Sequence, residues 1–311
     1  MITPPAEDDA TEHSPDPAGD RIRIEHPDAD AADRNRRYFG ATALQRFAAA
    51  RVLVVGAGAV GNEVCKHLGM IGVGEIVLVD PDVVTDSNLN RCVLFRPGQG
   101  AARMPKVQAV AAAFVEHGWN TRIDARAIGI EDVPPEVWLD ADLVVCGVDD
   151  DHARYWLNRQ LLTHALTDGR SRFVIEGAMG SDFTQCRTLE LPRTACLCCN
   201  WTTDLLDAVL QRRKLRTCME FFVESARIFP AISTQTSLVS AQMATDAIRI
   251  LAHQADYRAT GEWPAERDGR MVPMVGKLVR YETPTARCQV ASIMRNPKCI
   301  EPFCREGGGA R

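Results

Sequence analysis

The chain has 311 residues, a formal net charge of −5 and 46% hydrophobic residues, which is enough apolar material for one large α/β core. The acidic balance argues against a general nucleic-acid binder, because such proteins cluster an excess of lysine and arginine. The sequence contains no run of about 18 apolar residues, so no membrane span is expected. It also begins without a basic segment followed by an apolar one, so we expect a cytoplasmic protein.

The N-terminal segment, residues 1–31, is rich in aspartate, glutamate, proline and alanine and has few large apolar side chains. Such a segment cannot bury enough apolar surface to offset the entropy lost on ordering, so we predict a disordered acidic tail. Residues 33–40 then place three arginines beside two aromatic residues, and a short helical stretch follows. Taken alone, these arginines indicate a solvated helix face.

A glycine-rich turn follows the first predicted strand. Residues 52–55 are an uninterrupted valine and leucine run, the pattern of a strand buried on both faces of a parallel sheet. Gly56, Gly58 and Gly61 follow with the spacing GxGxxG, and an apolar helix pattern begins at once. Strand, turn and helix N-terminus together predict a nucleotide-phosphate site. The nucleotide could be NAD, for redox chemistry, or ATP, for activation of a substrate.

The next predicted strand, residues 75–79, leads into further polar candidates. It ends in Asp80, nineteen residues after the last glycine of the turn, where an acidic side chain suits a ribose hydroxyl. The loop beyond it supplies Asp82, Asn88 and Arg91. These side chains would lie at the carboxyl edge of the sheet, where ligands of open α/β sheets bind.

Hydrophobic periodicity predicts the remaining elements. Lys106 lies near the start of a predicted helix, and Asp149 follows a buried strand, where an acidic residue is either a helix cap or a ligand of a metal ion that bridges phosphates. The predicted elements are helices over 103–117, 131–138, 153–166 and 232–253, and strands over 121–128, 142–148, 172–178, 183–191, 277–282 and 286–294. They predict an α/β fold: a Rossmann-like, doubly wound, mostly parallel sheet with a C-terminal antiparallel extension.

Eleven cysteines in a chain expected to be cytoplasmic favour metal or thiol chemistry over disulfides. Cys196 and Cys199 have the Cys-x-x-Cys spacing, and Cys299 and Cys304 form a looser pair about a hundred residues later. Two such pairs predict a tetrahedral four-thiolate zinc site that ties the C-terminal segment to the middle of the chain. The alternative is four unrelated buried thiols. Cys198 lies inside the first pair and could compete as a ligand.

The other cysteines carry less information. Cys218 lies in a polar segment, whose composition leaves a reactive thiol and an exposed structural thiol equally open. We interpret the rest as packing residues because they lie in apolar or strand contexts: Cys65, Cys92, Cys146, Cys186 and Cys288.

As an ordered set, these residues resemble the ThiF/MoeB/HesA family of ubiquitin-activating-enzyme-like adenylyltransferases, over roughly residues 33–304. Any single match is weak, whereas the order is specific. The matching pieces are Arg34, the glycine turn, Asp80 and Asp82, Asn88 and Arg91, Lys106, Asp149 with Arg154, the Cys-x-x-Cys pair, Cys218, Pro230 and the closing cysteine pair. The resemblance implies one adenylation domain at 32–304, with a crossover loop at about 200–230 and a flexible tail at 305–311.

The resemblance also implies an activity. Family members adenylate, with ATP, the C-terminal glycine of a ubiquitin-like or sulfur-carrier protein that ends in Gly-Gly. By this resemblance the glycine turn holds phosphates, Asp80 holds the ribose, and Asp149 holds Mg²⁺. Asn88, Arg91 and Lys106 would neutralise the triphosphate, whose charge repels the incoming carboxylate.

Two further expectations follow from the resemblance. Arg34 of one subunit would reach into the site of its partner, which implies a homodimer. Cys218 matches the cysteine with which some family members form a thioester or an acyl-persulfide-derived bond to the activated carrier.

Three other interpretations stay open on sequence alone. An NAD-dependent oxidoreductase would use the glycine turn and Asp80 but would leave Arg91, Lys106, Asp149 and the cysteine pairs without a role. A non-catalytic adaptor of the same fold would bind a partner without adenylating it, which the intact charged positions argue against. Within enzymes, the acidic tail and the long loop leave room for adenylation of a short peptide in natural-product biosynthesis.

Overall fold

The computed structural model describes residues 30–202, 204, 205, 207, 209, 211, 232–264 and 272–305. In these residues one sheet of eight strands runs in the order β3-β2-β1-β4-β5-β6-β7-β8. The strands are β1 (Arg51–Val55), β2 (Glu75–Val79), β3 (Arg122–Arg126), β4 (Leu143–Cys146), β5 (Arg172–Met179), β6 (Phe183–Leu191), β7 (Lys277–Glu282) and β8 (Arg287–Ser292).

Helices cover both faces of this sheet. They are α1 (Asp33–Phe39), α2 (Ala41–Ala49), α3 (Ala59–Ile71), α4 (Lys106–Glu116), α5 (Pro135–Trp138), α6 (Asp151–Asp168), α7 (Ser233–Thr260) and α8 (Pro302–Arg305). Among the described helices, none combines the length and the apolar character that a membrane crossing requires.

The first five strands run parallel, and the order 3-2-1-4-5 changes direction between β1 and β4. Such a switch point opens a crevice at the carboxyl ends of its strands, where ligands of open α/β sheets bind. Both central strands are buried on both faces, as their valine-rich runs predict, because helices pack on either side. The predicted doubly wound, mostly parallel fold is therefore confirmed.

Strands β6, β7 and β8 form the predicted antiparallel extension. The interpretation of Cys288 as a packing residue is wrong, because it lies on the edge strand β8, all of whose residues are exposed. Alternating apolar residues indicate a strand, but burial also needs a neighbouring element to cover it. Among the described residues, neither face of β8 is covered, since side chains on both of its faces are exposed.

Two helices are longer than their periodicity predicts. Helix α6 begins two residues earlier than expected, because the Asp150 side chain accepts a hydrogen bond from the His152 N–H at 2.9 Å and caps it. Helix α7 continues to Thr260, where Gly261 adopts a left-handed conformation and ends it. In its last turns, the ring of Tyr257 stacks on the ring of Trp263, with the ring centroids 4.2 Å apart.

Candidate functional site

The glycine turn lies at the switch point, between β1 and α3. Gly56 has a φ of +96°, a left-handed conformation that favours glycine. A Cβ on Gly61 would lie 1.8 Å from the Gly56 carbonyl oxygen, so α3 can start this close to β1 only with glycine there. A Cβ on Gly58 would meet no heavy atom within 4 Å. This side of the turn faces open space beside the α3 N-terminus, as an anion site requires.

Gly61→Ala is expected to lower the free energy of unfolding by about 1–3 kcal/mol, because the new methyl group overpacks the strand–helix junction. Gly58→Ala is the matched control: it should keep the wild-type free energy of unfolding but weaken nucleotide binding, since its methyl group would occupy the open side of the turn, where phosphates are expected to bind. Chemical denaturation and nucleotide titration measure the two effects. A Gly61→Ala variant as stable as the wild type would contradict the packing argument.

Asp80 is buried directly after β2, with 7% of its surface exposed. Its Oδ2 accepts a hydrogen bond from the Ala57 N–H at 2.7 Å, and its Oδ1 accepts one from the Asp82 N–H at 2.8 Å. Burial raises the pKa of the Asp80 carboxyl, against the opposing effect of Lys106 and these two donors. Asp80 therefore fixes the glycine turn to the loop after β2, a role that the motif itself does not reveal.

Lys106 is the first residue of α4 and lies beside two carboxylates. Its Nζ is 2.7 Å from Asp82 Oδ2 and 4.0 Å from Asp80 Oδ1. Burial lowers the pKa of Lys106, but the charges of Asp80, Asp82 and Asp149 outweigh burial and raise it. Lys106 is thus a fully charged ammonium near the carboxyl ends of the central strands.

A cleft of about 360 Å³ opens beside this ammonium, lined by Asp82, Val83, Thr85, Asn88 and Lys106. Asn88 Oδ1 accepts a hydrogen bond from the Thr85 N–H at 3.0 Å, which closes the 3₁₀ turn Asp86–Asn88. Arg91 is half-buried, and its Nη1 donates to the Ser87 carbonyl at 2.6 Å. The structure therefore brings Asp82, Asn88 and Lys106 together around one cleft, with Arg91 on the adjoining loop.

A buried amide that the motifs do not single out holds this loop in place. Asn62 lies on α3 and is fully buried, and its Oδ1 accepts a hydrogen bond from the Leu94 N–H at 3.0 Å. The segment that carries Arg91 is thereby fixed to the helix that begins at the glycine turn. An amide on an otherwise apolar helix face is the sequence signal, since buried polar groups need partners.

Asp149 follows β4 and is exposed. The neighbouring Asp150, not Asp149, caps α6. Asp149 is therefore not the helix cap, which is one of the two roles that the sequence leaves open for it. Its negative charge contributes to the raised pKa of Lys106. A metal-binding role for Asp149 stays a prediction.

The two cysteine pairs meet as predicted. The sulfur atoms of Cys196, Cys199, Cys299 and Cys304 lie within 4.8 Å of one another, and all four residues are buried. Cys196 Sγ is 3.7 Å from both Cys199 Sγ and Cys299 Sγ, close to the spacing of about 3.8 Å that tetrahedral Zn–S bonds of about 2.3 Å impose. The cluster could therefore hold zinc. Cys198 is also buried but lies outside it.

Of the remaining predicted site residues, Arg34 is the one that the structure describes, and it lies apart from the cleft. Arg34 is exposed on α1, and the adjacent Asn35 donates to the Met70 carbonyl at the C-terminal end of α3. Helix α3 has 13 residues and is about 20 Å long at a rise of about 1.5 Å per residue. Residue 35 is thus at the end of α3 opposite the glycine turn. Cys218 and Pro230 lie outside the described residues.

Sequence comparisons relate this architecture to known proteins. The model of the ThiF family matches residues 32–301. The SAMP-activating enzyme E1 of Haloferax volcanii is 38% identical over 106 residues, which cover 32% of this chain and 38% of that protein. Ubiquitin-like modifier-activating enzyme 6 of Homo sapiens is 35% identical over 105 residues, which cover 32% of this chain and 10% of that protein. The matched part is therefore a small share of these relatives.

Solved structures share the fold over more of the chain. A crystal structure of E. coli MccB with ATP superposes with a TM-score of 0.64 and 17% identity, covering 89% of this chain and 74% of MccB. The structure of PaaA gives a TM-score of 0.60 and 16% identity, covering 90% of this chain and 87% of PaaA. The family model spans nearly the whole described region, which confirms the resemblance seen in the motifs: the chain belongs to the ThiF family.

Proposed function

We propose that the protein activates a carboxylate by adenylation. The C-terminal glycine carboxylate of a ubiquitin-like or sulfur-carrier protein attacks the α-phosphorus of MgATP. A bond forms between the carboxylate oxygen and that phosphorus, while the bond from the phosphorus to the bridging oxygen of pyrophosphate breaks. Pyrophosphate leaves with the electron pair of the broken bond. The observation that carries this proposal is the Lys106 ammonium, which lies on one wall of the cleft, 2.7 Å from Asp82 Oδ2 and 4.0 Å from Asp80 Oδ1.

The chemistry explains why such a cation is needed. A carboxylate and a triphosphate repel each other, and the leaving group is negative, so catalysis depends on positioning and on countercharge. The N–H groups of the glycine turn and the positive end of α3 are suited to bind phosphates. Lys106 and Arg91 would neutralise the triphosphate, and Asn88 would donate to it. Asp149 would hold the Mg²⁺ that accompanies ATP.

The ribose would bind on the side of Asp80 and Asp82. Each Asp80 oxygen already accepts one backbone hydrogen bond and keeps a second lone pair. The Asp82 side chain is 66% exposed at the mouth of the cleft and can accept hydrogen bonds from a ligand. An NAD-dependent oxidoreductase would use these acids equally well, but it would have no need for Lys106, Arg91 and Asp149 together.

The placement of α1 supports a homodimer in which Arg34 serves the partner. The adjacent Asn35 is bound at the far end of α3, so Arg34 lies remote from the glycine turn of its own chain. A guanidinium supplied by a second copy would add a countercharge to the triphosphate. Cys218, as a nucleophile that receives the activated carrier, stays a prediction from the family resemblance.

ATP–pyrophosphate exchange tests the proposal. Carrier proteins that end in Gly-Gly, the same carriers without the last glycine, and short peptides are supplied in turn with MgATP. We expect exchange that requires the terminal glycine of a carrier. Exchange with peptides alone would replace the carrier by a peptide substrate, and ATP binding without exchange in any mixture would favour a non-catalytic adaptor.

A further inference from the structure

A buried carboxylate, Glu176, lies on β5 opposite Cys146, the last residue of β4. Only 2% of its surface is exposed. Its Oε2 accepts a hydrogen bond from Arg187 Nε at 2.7 Å, and its Oε1 lies 3.2 Å from Arg154 Nε. Burial alone would raise the pKa of Glu176, but the two guanidiniums outweigh burial and hold it below its usual value. Such a buried charge is costly to keep, and apolar side chains of similar volume could often replace it.

Arg187 connects this carboxylate to the first cysteine pair. It lies on β6, is as buried as Glu176, and donates through Nη1 to the Leu197 carbonyl at 3.0 Å and to the Asn200 side chain. Leu197 lies between Cys196 and Cys199 in the sequence. One guanidinium therefore holds the Cys-x-x-Cys backbone and the Glu176 carboxylate at the same time.

Helix α6 contacts both cysteine pairs through a second buried side chain. Asn158 Oδ1 accepts a hydrogen bond from the Leu197 N–H at 2.9 Å, and its Nδ2 donates to Glu301 Oε1 at 3.4 Å. Glu301 lies between Cys299 and Cys304. A shift of the cysteine cluster would therefore act directly on α6, the helix that follows Asp149.

Arg154 completes the connection at the cleft end. It lies in the first turns of α6, and its Nη2 donates to the Val148 carbonyl at 2.5 Å while its Nη1 donates to Asp151 at 2.8 Å. Val148 directly precedes Asp149. The backbone that carries Asp149 is thus held by a guanidinium that is also paired with Glu176.

We propose that Arg187, Glu176 and Arg154 are positioning residues that transmit the state of the cysteine cluster to the turn at 148–149. A metal ion held by the four thiols then sets the place of Asp149, instead of only tying the C-terminal segment to the sheet. The predicted effect on Mg²⁺-dependent ATP binding rests on the proposed function. The structural link between the cysteine cluster and residues 148–149 does not depend on that function.

Arg187→Lys tests the link, because lysine keeps a positive charge beside Glu176 but lacks the planar fork that reaches Leu197. Arg172→Lys is the matched control. Arg172 is a similarly buried arginine on β5, but its hydrogen bonds go to Asp168 and Arg170. Both variants are prepared as full-length, zinc-loaded protein.

Hydrogen–deuterium exchange of the Gly147 and His152 amides is the first measurement, made without substrate. These two N–H groups donate to the Val55 carbonyl and to the Asp150 carboxylate, so they are protected on either side of Asp149. We expect exchange at both amides to accelerate about tenfold in Arg187→Lys and when a chelator removes zinc from the wild type. The amides of β2 should stay unchanged, as should the Gly147 and His152 amides in Arg172→Lys. Equal acceleration in both lysine variants, or unchanged exchange of these two amides in the metal-free wild type, would overturn the proposal.

The Mg²⁺ dependence of ATP binding is the second measurement. Arg187→Lys should raise the Mg²⁺ concentration for half-maximal binding about tenfold, and it should add nothing further in an Asp149→Ala background, because the two residues act through one element. Additive effects would mean that Arg187 does not act through Asp149. If no carrier supports ATP–pyrophosphate exchange, the proposed function is contradicted. The hydrogen–deuterium exchange result would still test the structural link on its own.

Discussion

Asp149→Ala is expected to reduce ATP–pyrophosphate exchange on the order of 10²- to 10³-fold, the scale on which removal of one electrostatic contact to a transition state acts. The substitution removes the carboxylate proposed to hold Mg²⁺ at the carboxyl end of β4. It should leave the fold intact, because Asp149 is exposed and the cap of α6 is Asp150. Exchange rates at saturating ATP and carrier, with a thermal melt of the same sample, measure both effects.

Asp140→Ala is the matched control for this variant. Asp140 is also an exposed aspartate beside β4, but it precedes the strand and so lies at the opposite edge of the sheet. Its removal changes the net charge equally and should leave exchange at the wild-type rate. An Asp149→Ala variant with normal exchange would exclude Asp149 as the magnesium ligand, and an equal loss in both variants would mean that net charge alone matters.

The architecture around the glycine turn could be predicted because its signals are local. The uninterrupted apolar run at 52–55 indicates burial on both faces, and the structure places that strand in the middle of the parallel region. The strands predicted at 183–191 and 277–282 match residue for residue. In each case the pattern of the segment itself carries the information, and no distant contact is needed.

The sequence predictions are wrong where the structure depends on contacts between separate elements. Helix α7 continues past its periodic stripe, and there the Tyr257 hydroxyl donates to Glu190 Oε2 on β6 at 2.6 Å, a contact that no spacing rule contains. Cys288 is exposed because both faces of β8 are uncovered in the described part of the chain, which depends on where other elements pack and not on the composition of β8.

At the candidate site, too, local sequence patterns could be predicted and contacts between separate elements could not. The sequence indicates that Asp80 and Asp149 follow parallel strands, so both lie at the carboxyl edge of the sheet. It does not indicate that the Asp80 carboxylate binds the Ala57 N–H, or that Glu176 pairs with Arg187, because each contact joins separate elements. A charged residue within a buried strand pattern is nevertheless a readable signal, since a buried charge needs a partner.

Cys199→Ser is expected to lower the bound zinc and the thermal stability together. A structural zinc site can contribute about 10 kcal/mol or more to folding, and loss of one thiolate should forfeit several kcal/mol of that contribution. The cluster joins residues 196–199 to residues 299–304, so weakening it releases the C-terminal segment from the sheet. Zinc per chain, determined by atomic absorption, and the melting temperature with and without a chelator measure the two effects.

Cys198→Ser is the matched control, since Cys198 is equally buried and adjacent but lies outside the four-thiol cluster. With its ligand set intact, this variant should keep one zinc per chain and show the same chelator-induced fall in melting temperature as the wild type. Cys199→Ser should start from a lower melting temperature and respond little to the chelator, because the metal is already lost. A Cys199→Ser variant that stays fully metallated and stable would mean that Cys198 is the true ligand or that the bound zinc lies outside this cluster.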